Sequence, residues 1–289
     1  MHTVLSNFLA NVWENRDHVL AAQFAKGARE RVYELYSSAP PAGGAQTPEQ
    51  QNYANRLAAL RGRFGLQPGG EWFYYFHRTQ ADVLIRLYMN PRPEWACRVF
   101  EMTLDALRDT RGLGAALQSG AVARAGRRPG AGLGKAQAPS KYAGAAWADG
   151  VNQLKIANAA EAYSGRRDLI VVYLAGQDVG WSLLRALEGR GLMQGWFADD
   201  VPPMTQRVYW GVSFGTDPRE PGASFGMVRC DLIADALILA VTGHEPPASG
   251  PIVPARRNAP QTNNNRLGFV KLVTDRFAAK GISVERPWN

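Results

Sequence analysis

The sequence predicts an α+β fold: a central, mostly antiparallel or mixed sheet with flanking helices and an N-terminal helical layer. Apolar residues recur at helical spacing through about the first 65 of its 289 residues. Beyond residue 67, short β-prone runs alternate irregularly with helical segments. Strand candidates that come partly in pairs and partly separated by helices favour α+β over a strictly parallel sheet. We therefore expect an N-terminal helical region over residues 1–66 and an α+β domain over residues 67–289.

The N-terminal region is predicted to be helical in two parts. Residues 4–36 carry apolar side chains at helical spacing, and the polar residues 15–17 can break this run into two helices. A further helix is predicted over residues 48–64. Thr47 and Gln50 occupy capping-box positions at its start. The proline and glycines that follow the run end this helix.

The second region is predicted to contain short strands, rich in β-branched and aromatic residues, and longer helices. The predicted strands are residues 71–77, 82–89, 151–157, 168–174 and 204–210. The predicted helices are residues 94–111 and 179–189, a helix from Phe225 onward, and residues 267–279. Residues 112–150 are rich in glycine, alanine and basic residues without periodicity. We interpret them as a flexible insertion, because long irregular loops in compact domains are usually functional or disordered.

The composition points to an anionic partner and a reducing compartment. The formal charge of +8 comes mostly from arginine, which suits nucleic acid, a phosphopeptide or an acidic peptide. An arginine-rich proteome would produce the same charge. Basic and aromatic residues do not interleave in a recognisable motif, so we expect no specific nucleic-acid partner. Cys97 and Cys230 lie in apolar helical patterns and are predicted to be buried free thiols.

The sequence contains no recognisable motif for a cofactor, a metal, a membrane span or a classical signal peptide. The glycine-rich residues 130–135 depart from a phosphate loop at its first glycine and at its Ser/Thr position, so no cofactor is expected. Histidines and cysteines do not cluster at metal-ligand spacing, so no metal is expected. No apolar run approaches a membrane span, and we expect no membrane partner. The N-terminus lacks a basic segment followed by an apolar one, which favours a cytosolic location.

Arg229 stands out because its helix is otherwise apolar on the same arc. At helical pitch it falls between Phe225 and Leu232. A guanidinium is rarely buried without a partner, since removing it from water costs several kcal/mol. We expect an anion beside Arg229, either a structural carboxylate or a substrate phosphate.

Three more cations interrupt strand candidates, namely Arg86, Lys155 and Arg207. Strand alternation places Arg86 on one face with Tyr88. Each cation alone is explained by a salt bridge or a surface position. If they converge with Arg229, they form a site for a dianion, and Lys155 beside arginines could be a neutral base near pH 7. His77 ends an aromatic strand and could act as an acid, although a lone histidine there is more often structural.

Several stretches resemble the HopA-type effector family. Residues 220–237, Glu-Pro-Gly-Ala-Ser-Phe-Gly-Met-Val-Arg-Cys-Asp-Leu-Ile-Ala-Asp-Ala-Leu, resemble its C-terminal signature. Four further stretches match in order, covering roughly residues 71–242 in all: residues 83–90, 153–158, 168–174 and 203–207. The chain departs from the family pattern at Val228, where histidine is expected, and at Gln206, where lysine is expected.

This resemblance implies a function. The family includes type III effectors of plant pathogens, and proteins encoded beside kinases in class V lanthipeptide and thioamitide pathways that look like phosphoserine/phosphothreonine lyases. It implies an enzyme that forms dehydroamino acids in a phosphorylated precursor peptide during ribosomal peptide biosynthesis, in the bacterial cytoplasm, with a separate kinase as possible partner. The alternative is a type III effector or non-catalytic protein-binding module secreted into a host cell.

The lyase hypothesis gives each candidate residue a role. Lys155 would abstract the α-proton of the phosphorylated residue. Three arginines would bind the phosphate and stabilise its developing charge: Arg86, Arg207 and Arg229. His77 or Tyr88 would protonate the leaving phosphate.

Overall fold

A computed structural model describes residues 3–37, 47–77, 82–118, 144–217, 224–248, 250–252 and 265–288. Its architecture is α+β, as the sequence predicts. Much of the predicted insertion, residues 119–143, lies outside the described residues. On either side of it, α5 continues to Gln118 and a 3-10 helix occupies Gly144–Gly150.

The N-terminal region forms four helices. They are α1 (Thr3–Glu14), α2 (Arg16–Leu20), α3 (Ala25–Ser37) and α4 (Pro48–Phe64). The predicted break near Asn15 is confirmed, and a second break follows Leu20. The capping box of α4 is also confirmed: the Thr47 hydroxyl accepts from the Gln50 amide at 3.2 Å, and the Gln50 side chain accepts from the Thr47 amide at 2.8 Å.

Seven strands of the described chain form one antiparallel sheet, in the order β1-β2-β4-β5-β3-β7-β6. The strands are β1 (Gln67–Gly69), β2 (Trp72–Phe76), β3 (Ile85–Met89), β4 (Val151–Ala157), β5 (Ile170–Leu174), β6 (Gln206–Tyr209) and β7 (Val212–Thr216). All five predicted strands are present. β1 was missed because its proline and glycine are depleted in strands, and β7 because it is short and contains a glycine.

Five further helices complete the described structure. They are α5 (Pro93–Gln118), α6 (Ala159–Ala162), α7 (Gln177–Glu188), α8 (Phe225–Thr242) and α9 (Arg266–Ala279). Among the described residues, no helix has both the length and the hydrophobicity that crossing a bilayer demands.

One face of the sheet is apolar. Leu154, Val172, Leu87 and Phe214 stand opposite one another on neighbouring strands, and each is almost fully buried. α7 packs closely on this face, because a Cβ at Gly180 would lie 2.4 Å from the Phe214 ring. α5 lies on the same side and contacts β4 and α7, and α4 packs against α5. This face supplies a large share of the hydrophobic core.

The opposite face, here called the polar face, carries the alternate side chains of the same strands. Lys155, Val171, Tyr88 and Ser213 form one row across β4, β5, β3 and β7. α8 covers this face, with the Phe225 ring 6.0 Å from the Tyr88 ring. α3 packs against α8, so the molecule has helices on both sides of its sheet. The predicted boundary at residue 66 stays a prediction.

Candidate functional site

Lys155 lies at the centre of the candidate site on the polar face. Its Nζ is 3.6 Å from the centroid of the Trp72 ring, and no ion pair or hydrogen bond joins it to the described residues. Burial lowers its pKa to about 7 against the opposing pull of Asp168, and the positive charges of Arg166 and Arg86 lower it further. The side chain nevertheless keeps some solvent exposure. Lys155 is therefore largely desolvated and has an appreciable neutral fraction near pH 7.

Arg166 shares the Trp72 ring with Lys155, and the sequence reasoning missed it. Its guanidinium carbon lies 4.4 Å from the ring centroid, and the residue is 5% exposed. It donates hydrogen bonds to three carboxylates, at 2.6 Å to Asp168, 2.7 Å to Glu161 and 3.1 Å to Glu71. Burial would lower the pKa of Arg166, but Asp168 and the other partners raise it above its usual value. Trp72 thus lies against two cations, of which only Arg166 has carboxylate partners among the described residues.

The sequence around Arg166 offered little reason to single this residue out. It belongs to a Ser-Gly-Arg-Arg-Asp stretch of residues 164–168, which has the composition of a solvated loop. The weak signal was the fully buried strand β5 that follows this stretch, because residues just before a buried strand often lie close to the interior.

Arg86 is buried on the polar face near the middle of the sheet, 7% exposed. Its Nε donates to the Asp217 carboxylate at 2.7 Å, and its guanidinium carbon lies 4.9 Å from the centroid of the Tyr173 ring. Burial would lower the pKa of Arg86, but Tyr88, Tyr173 and Asp217 raise it above its ordinary value. Arg86 therefore remains charged at every accessible pH.

Arg229 points from α8 toward the same side of the sheet and is 3% exposed. Its Nε donates to the Pro287 carbonyl at 2.7 Å, and its Nη1 donates to the Phe225 carbonyl at 3.3 Å. The Phe225 ring centroid lies 3.7 Å from its guanidinium carbon. Burial lowers the pKa of Arg229 to about 10, and the nearby positive charge of Arg86 also lowers it. Two backbone carbonyls are therefore among the partners of Arg229, and the anion expected beside it stays a prediction.

Two hydroxyls on this side of the sheet are buried without a hydrogen-bond partner among the described residues: those of Tyr36 and Ser213. Ser213 stands directly opposite Tyr88 on the neighbouring strand. Burial raises the pKa of Tyr88 well above its usual value, so its hydroxyl stays protonated. Buried polar groups that the protein does not satisfy are uncommon and call for an explanation, such as a bound ligand oxygen or water. The polar face thus has several hydroxyls suited to an oxygen-rich ligand.

Arg207 is not brought to Lys155. It lies on β6 at the edge of the sheet, four strand spacings and therefore about 19 Å from β4. Its exposed guanidinium donates to the Asp199 carbonyl and lies 5.5 Å from the Trp210 ring. The position follows from strand order, because β3 and β7 lie between β5 and the edge.

His77 is also separated from Lys155. It follows β2 and alternates with Phe76, so it lies on the side of Tyr75, whose ring centroid is 6.1 Å away. That side is the apolar face. The structure therefore brings together Arg86, Tyr88, Lys155 and Arg229 from the predicted set, adds Arg166, and leaves out Arg207 and His77.

Other predicted features are placed as follows. Cys97 and Cys230 are buried free thiols, as predicted, and burial raises the pKa of Cys97 to about 12. No group of three His, Cys, Asp or Glu side chains within the described ranges could hold a metal ion. Val228, at the position of an expected histidine, is partly buried on α8, and the Gln206 side chain accepts from Gln177 at 3.3 Å.

Comparison with known proteins identifies the family. Residues 147–288 match the HopA1 effector protein family. The match supports the HopA-type resemblance that the sequence predicts. The HopA1 match includes Lys155, Arg166 and Arg229, whereas Trp72 and Arg86 precede it. A comparison with curated proteins finds no match.

Two solved structures are similar in fold to nearly the whole chain. One is the effector protein from Pseudomonas syringae pv. tomato strain DC3000, with 15% identity, a TM-score of 0.54, and coverage of 98% of this chain and 96% of that one. The other is the effector protein from Pseudomonas syringae pv. syringae strain 61, with 15% identity, a TM-score of 0.56, and coverage of 99% and 96%. Identity this low shows a shared fold.

Proposed function

We propose that this protein is a bacterial type III effector, delivered into a host cell, whose polar face eliminates phosphate from phosphoserine or phosphothreonine in a peptide. The effector part is supported by the HopA1 match over residues 147–288. The activity rests on one observation: a lysine with a pKa of about 7 and no carboxylate partner among the described residues lies beside buried arginines. This combination supplies a general base and nearby positive charges that would stabilise a bound dianion.

The proposed reaction is a β-elimination. Neutral Lys155 takes the α-proton of the phosphorylated residue, and the electron pair of that C–H bond forms the Cα–Cβ double bond. The Cβ–O bond breaks at the same time, and its electrons leave with the phosphate. The products are a dehydroamino acid in the peptide, inorganic phosphate and protonated Lys155, which returns its proton to water.

The arginines are proposed to hold the phosphate. Arg86 is proposed to meet the phosphate through its guanidinium, whose fork of N–H donors suits phosphate oxygens. Its Nε also donates to Asp217. Arg229 adds a second positive charge from the helix above the sheet. Tyr88 is the candidate for donating a hydrogen bond to the departing phosphate, since burial keeps the proton on its hydroxyl. His77 and Arg207 have no part in this proposal, because they lie on the other face and at the far edge.

Two sources of the phosphopeptide fit the family: a biosynthetic precursor peptide and a phosphorylated host protein. A phosphorylated precursor peptide, supplied by a separate kinase in ribosomal peptide biosynthesis, would undergo the same chemistry. The HopA1 match names effectors, so we place the substrate among phosphorylated host proteins.

The test is mass spectrometry of a phosphopeptide library after incubation with the protein. We expect loss of phosphoric acid and an unsaturated residue that adds a thiol, which separates elimination from hydrolysis. Lys155→Met should lower the rate by at least about 100-fold, as loss of a general base does. Lys271→Met is the matched control, since Lys271 is exposed and pairs with Asp275 on α9. Absence of elimination on every peptide, or full activity of Lys155→Met, would refute the lyase.

A second candidate is an effector that binds a host protein without chemistry. It is favoured by the partners that the buried arginines already have: Arg86 pairs with Asp217, and Arg229 bonds to carbonyl oxygens. Under this alternative, Lys155→Met binds its host partner and produces its effect in host cells as the wild type does. A loss of the host effect in Lys155→Met, with the fold intact, argues against it.

A further inference from the structure

A row of side chains on the polar face leads from solvent to the buried arginine. Phe76, Gln153, Tyr173 and Arg86 stand opposite one another on β2, β4, β5 and β3. Phe76 is 48% exposed, Gln153 is partly exposed, and Tyr173 and Arg86 are buried at 9% and 7%. Accessibility therefore falls along the row toward the candidate site.

The outer end of this row carries two stacked aromatic rings. The centroids of Tyr74 and Phe76 are 6.2 Å apart and the rings are inclined by 14°. Tyr74 stands directly opposite Lys155 on the neighbouring strand. A Cβ at Gly69 would come within 2.7 Å of the Tyr74 ring, so this glycine lets the ring lie against β1. We call the pair Tyr74 and Phe76 the aromatic shelf.

The spacing of the strands relates the shelf to a peptide bound at the site. β2 lies three strand spacings from β3, so Phe76 and Arg86 are separated by about 14 Å across the sheet. An extended peptide advances about 3.3 Å per residue, so this separation corresponds to about four residues. Tyr74, one spacing from Lys155, is reached sooner. A peptide that places its phosphorylated residue between Lys155 and Arg86 thus carries a nearby side chain onto the shelf.

We propose that the aromatic shelf is a peptide subsite that binds an apolar or aromatic side chain two to four residues from the phosphorylated residue. This inference rests on the proposed function for the location of the phosphate. Its occupant is the substrate itself, because the row of side chains that starts at the shelf ends at Arg86. Aromatic rings bury large apolar areas, so one such contact is enough to discriminate among peptides.

The test measures binding, so it does not depend on turnover. Fluorescent phosphothreonine peptides, with leucine, phenylalanine or serine at single positions two to four residues on either side, are titrated into Lys155→Met and into Lys155→Met/Phe76→Ser. We expect about tenfold tighter binding of the leucine or phenylalanine peptide at one of these positions, and loss of most of that preference with Phe76→Ser. Phe76→Leu should restore it. Phe24→Ser is the matched control, because Phe24 is 51% exposed and lies just before α3, where it forms a bridge with Pro251 outside the seven-stranded sheet.

The outcomes separate the two proposals. Equal binding of all peptides by both proteins, or no binding of any peptide, overturns the subsite. A preference that Phe76→Ser removes, without elimination by the wild type on the same peptides, supports the subsite and counts against the lyase. Elimination by the wild type without any dependence on Phe76 supports the lyase and overturns the subsite.

Discussion

At the scale of single residues, Lys155 differs from its neighbours in lacking a carboxylate partner among the described residues. Arg86 and Arg166 both donate to carboxylates, and their pKa values are raised. Lys155 has only the face of Trp72, and a cation over an aromatic ring gains about 0.5–2 kcal/mol. That gain is smaller than the cost of desolvating the ammonium group, so the pKa of Lys155 is lowered relative to that of an exposed lysine.

The first prediction concerns the titration of Lys155. Acylation of amines requires the neutral form, so the labelling rate of Lys155 should rise with pH and level off with a midpoint of about 7. The rate is measured by peptide mass spectrometry over pH 5 to 10, roughly the span in which the group titrates, with exposed Lys271 as internal reference. A midpoint within one unit of that of an ordinary lysine would contradict the assignment.

A second prediction concerns Arg166. Arg166→Met removes a positive charge beside Lys155 and leaves Asp168 with one partner fewer, and both changes raise the pKa of Lys155. The labelling midpoint should therefore move to higher pH, and the pH profile of any elimination should move with it. The neighbouring Arg167→Met is the control, because Arg167 is more exposed and pairs with Asp200. A midpoint that stays in place or falls would show that Arg166 has only a structural role.

At the scale of elements, local patterns predicted which segments form, and strand order decided which residues meet. The capping box set the start of α4, and its predicted bounds agree with Pro48–Phe64. Arg86 and Lys155 were correctly assigned to strand interiors. No local pattern indicated that β7 lies between β3 and β6, because β3 and β7 are distant along the chain. The separation of Arg207 from Lys155 could therefore not be predicted.

The third prediction concerns the contact of α8 with α3. A Cβ at Gly226 would lie 2.5 Å from the Tyr36 ring, which is itself 3% exposed and cannot swing aside. Gly226→Ala should therefore destabilise the fold by about 1–3 kcal/mol, as overpacking does. Gly62→Ala is the control: Gly62 lies inside α4 with open space around it, and alanine there should stabilise by about 0.5–1 kcal/mol. Thermal unfolding measures the change in stability of each variant. Equal changes in the two variants would contradict close packing of Gly226 against Tyr36.

At the scale of the whole molecule, the two faces of the sheet have different tasks. Side chains of the apolar face anchor α7 and the core, whereas the polar face combines buried apolar side chains with charges and hydroxyls. Strand alternation predicted that such a division would exist, but not which helices cover each side. The Arg229 contact with the Pro287 carbonyl depends on that covering, so the sequence could not predict it.

The fourth prediction is a gain in stability on removing the candidate base. The pKa of Lys155 is 10.5 in the ordinary state and about 7 in the fold, so the unfolded chain binds more protons between these values. The free energy of unfolding then rises with pH from about 7 to 10.5, and below pH 7 the buried charge costs the most. Lys155→Met removes that cost.

The expected size follows from the pKa difference. About 1.4 kcal/mol per pKa unit gives an upper bound of about 5 kcal/mol, and partial solvent exposure reduces it to about 2 kcal/mol. Lys155→Met should thus unfold at a higher denaturant concentration than the wild type at pH 6, with the difference vanishing near pH 10.5. Chemical denaturation at several pH values measures it. A variant less stable than the wild type at pH 6 would contradict the penalty.

The alternation of two faces along the same strands also bears on how such proteins diverge. A mutation that removes Lys155 spares the apolar side chains on either side of it, Leu154 and Ile156, and the predicted gain in stability eases its survival. Related proteins can then lose catalytic activity and keep the fold. Catalytic and purely binding members would have nearly the same backbone structure. Distinguishing them requires reading every second residue of β4.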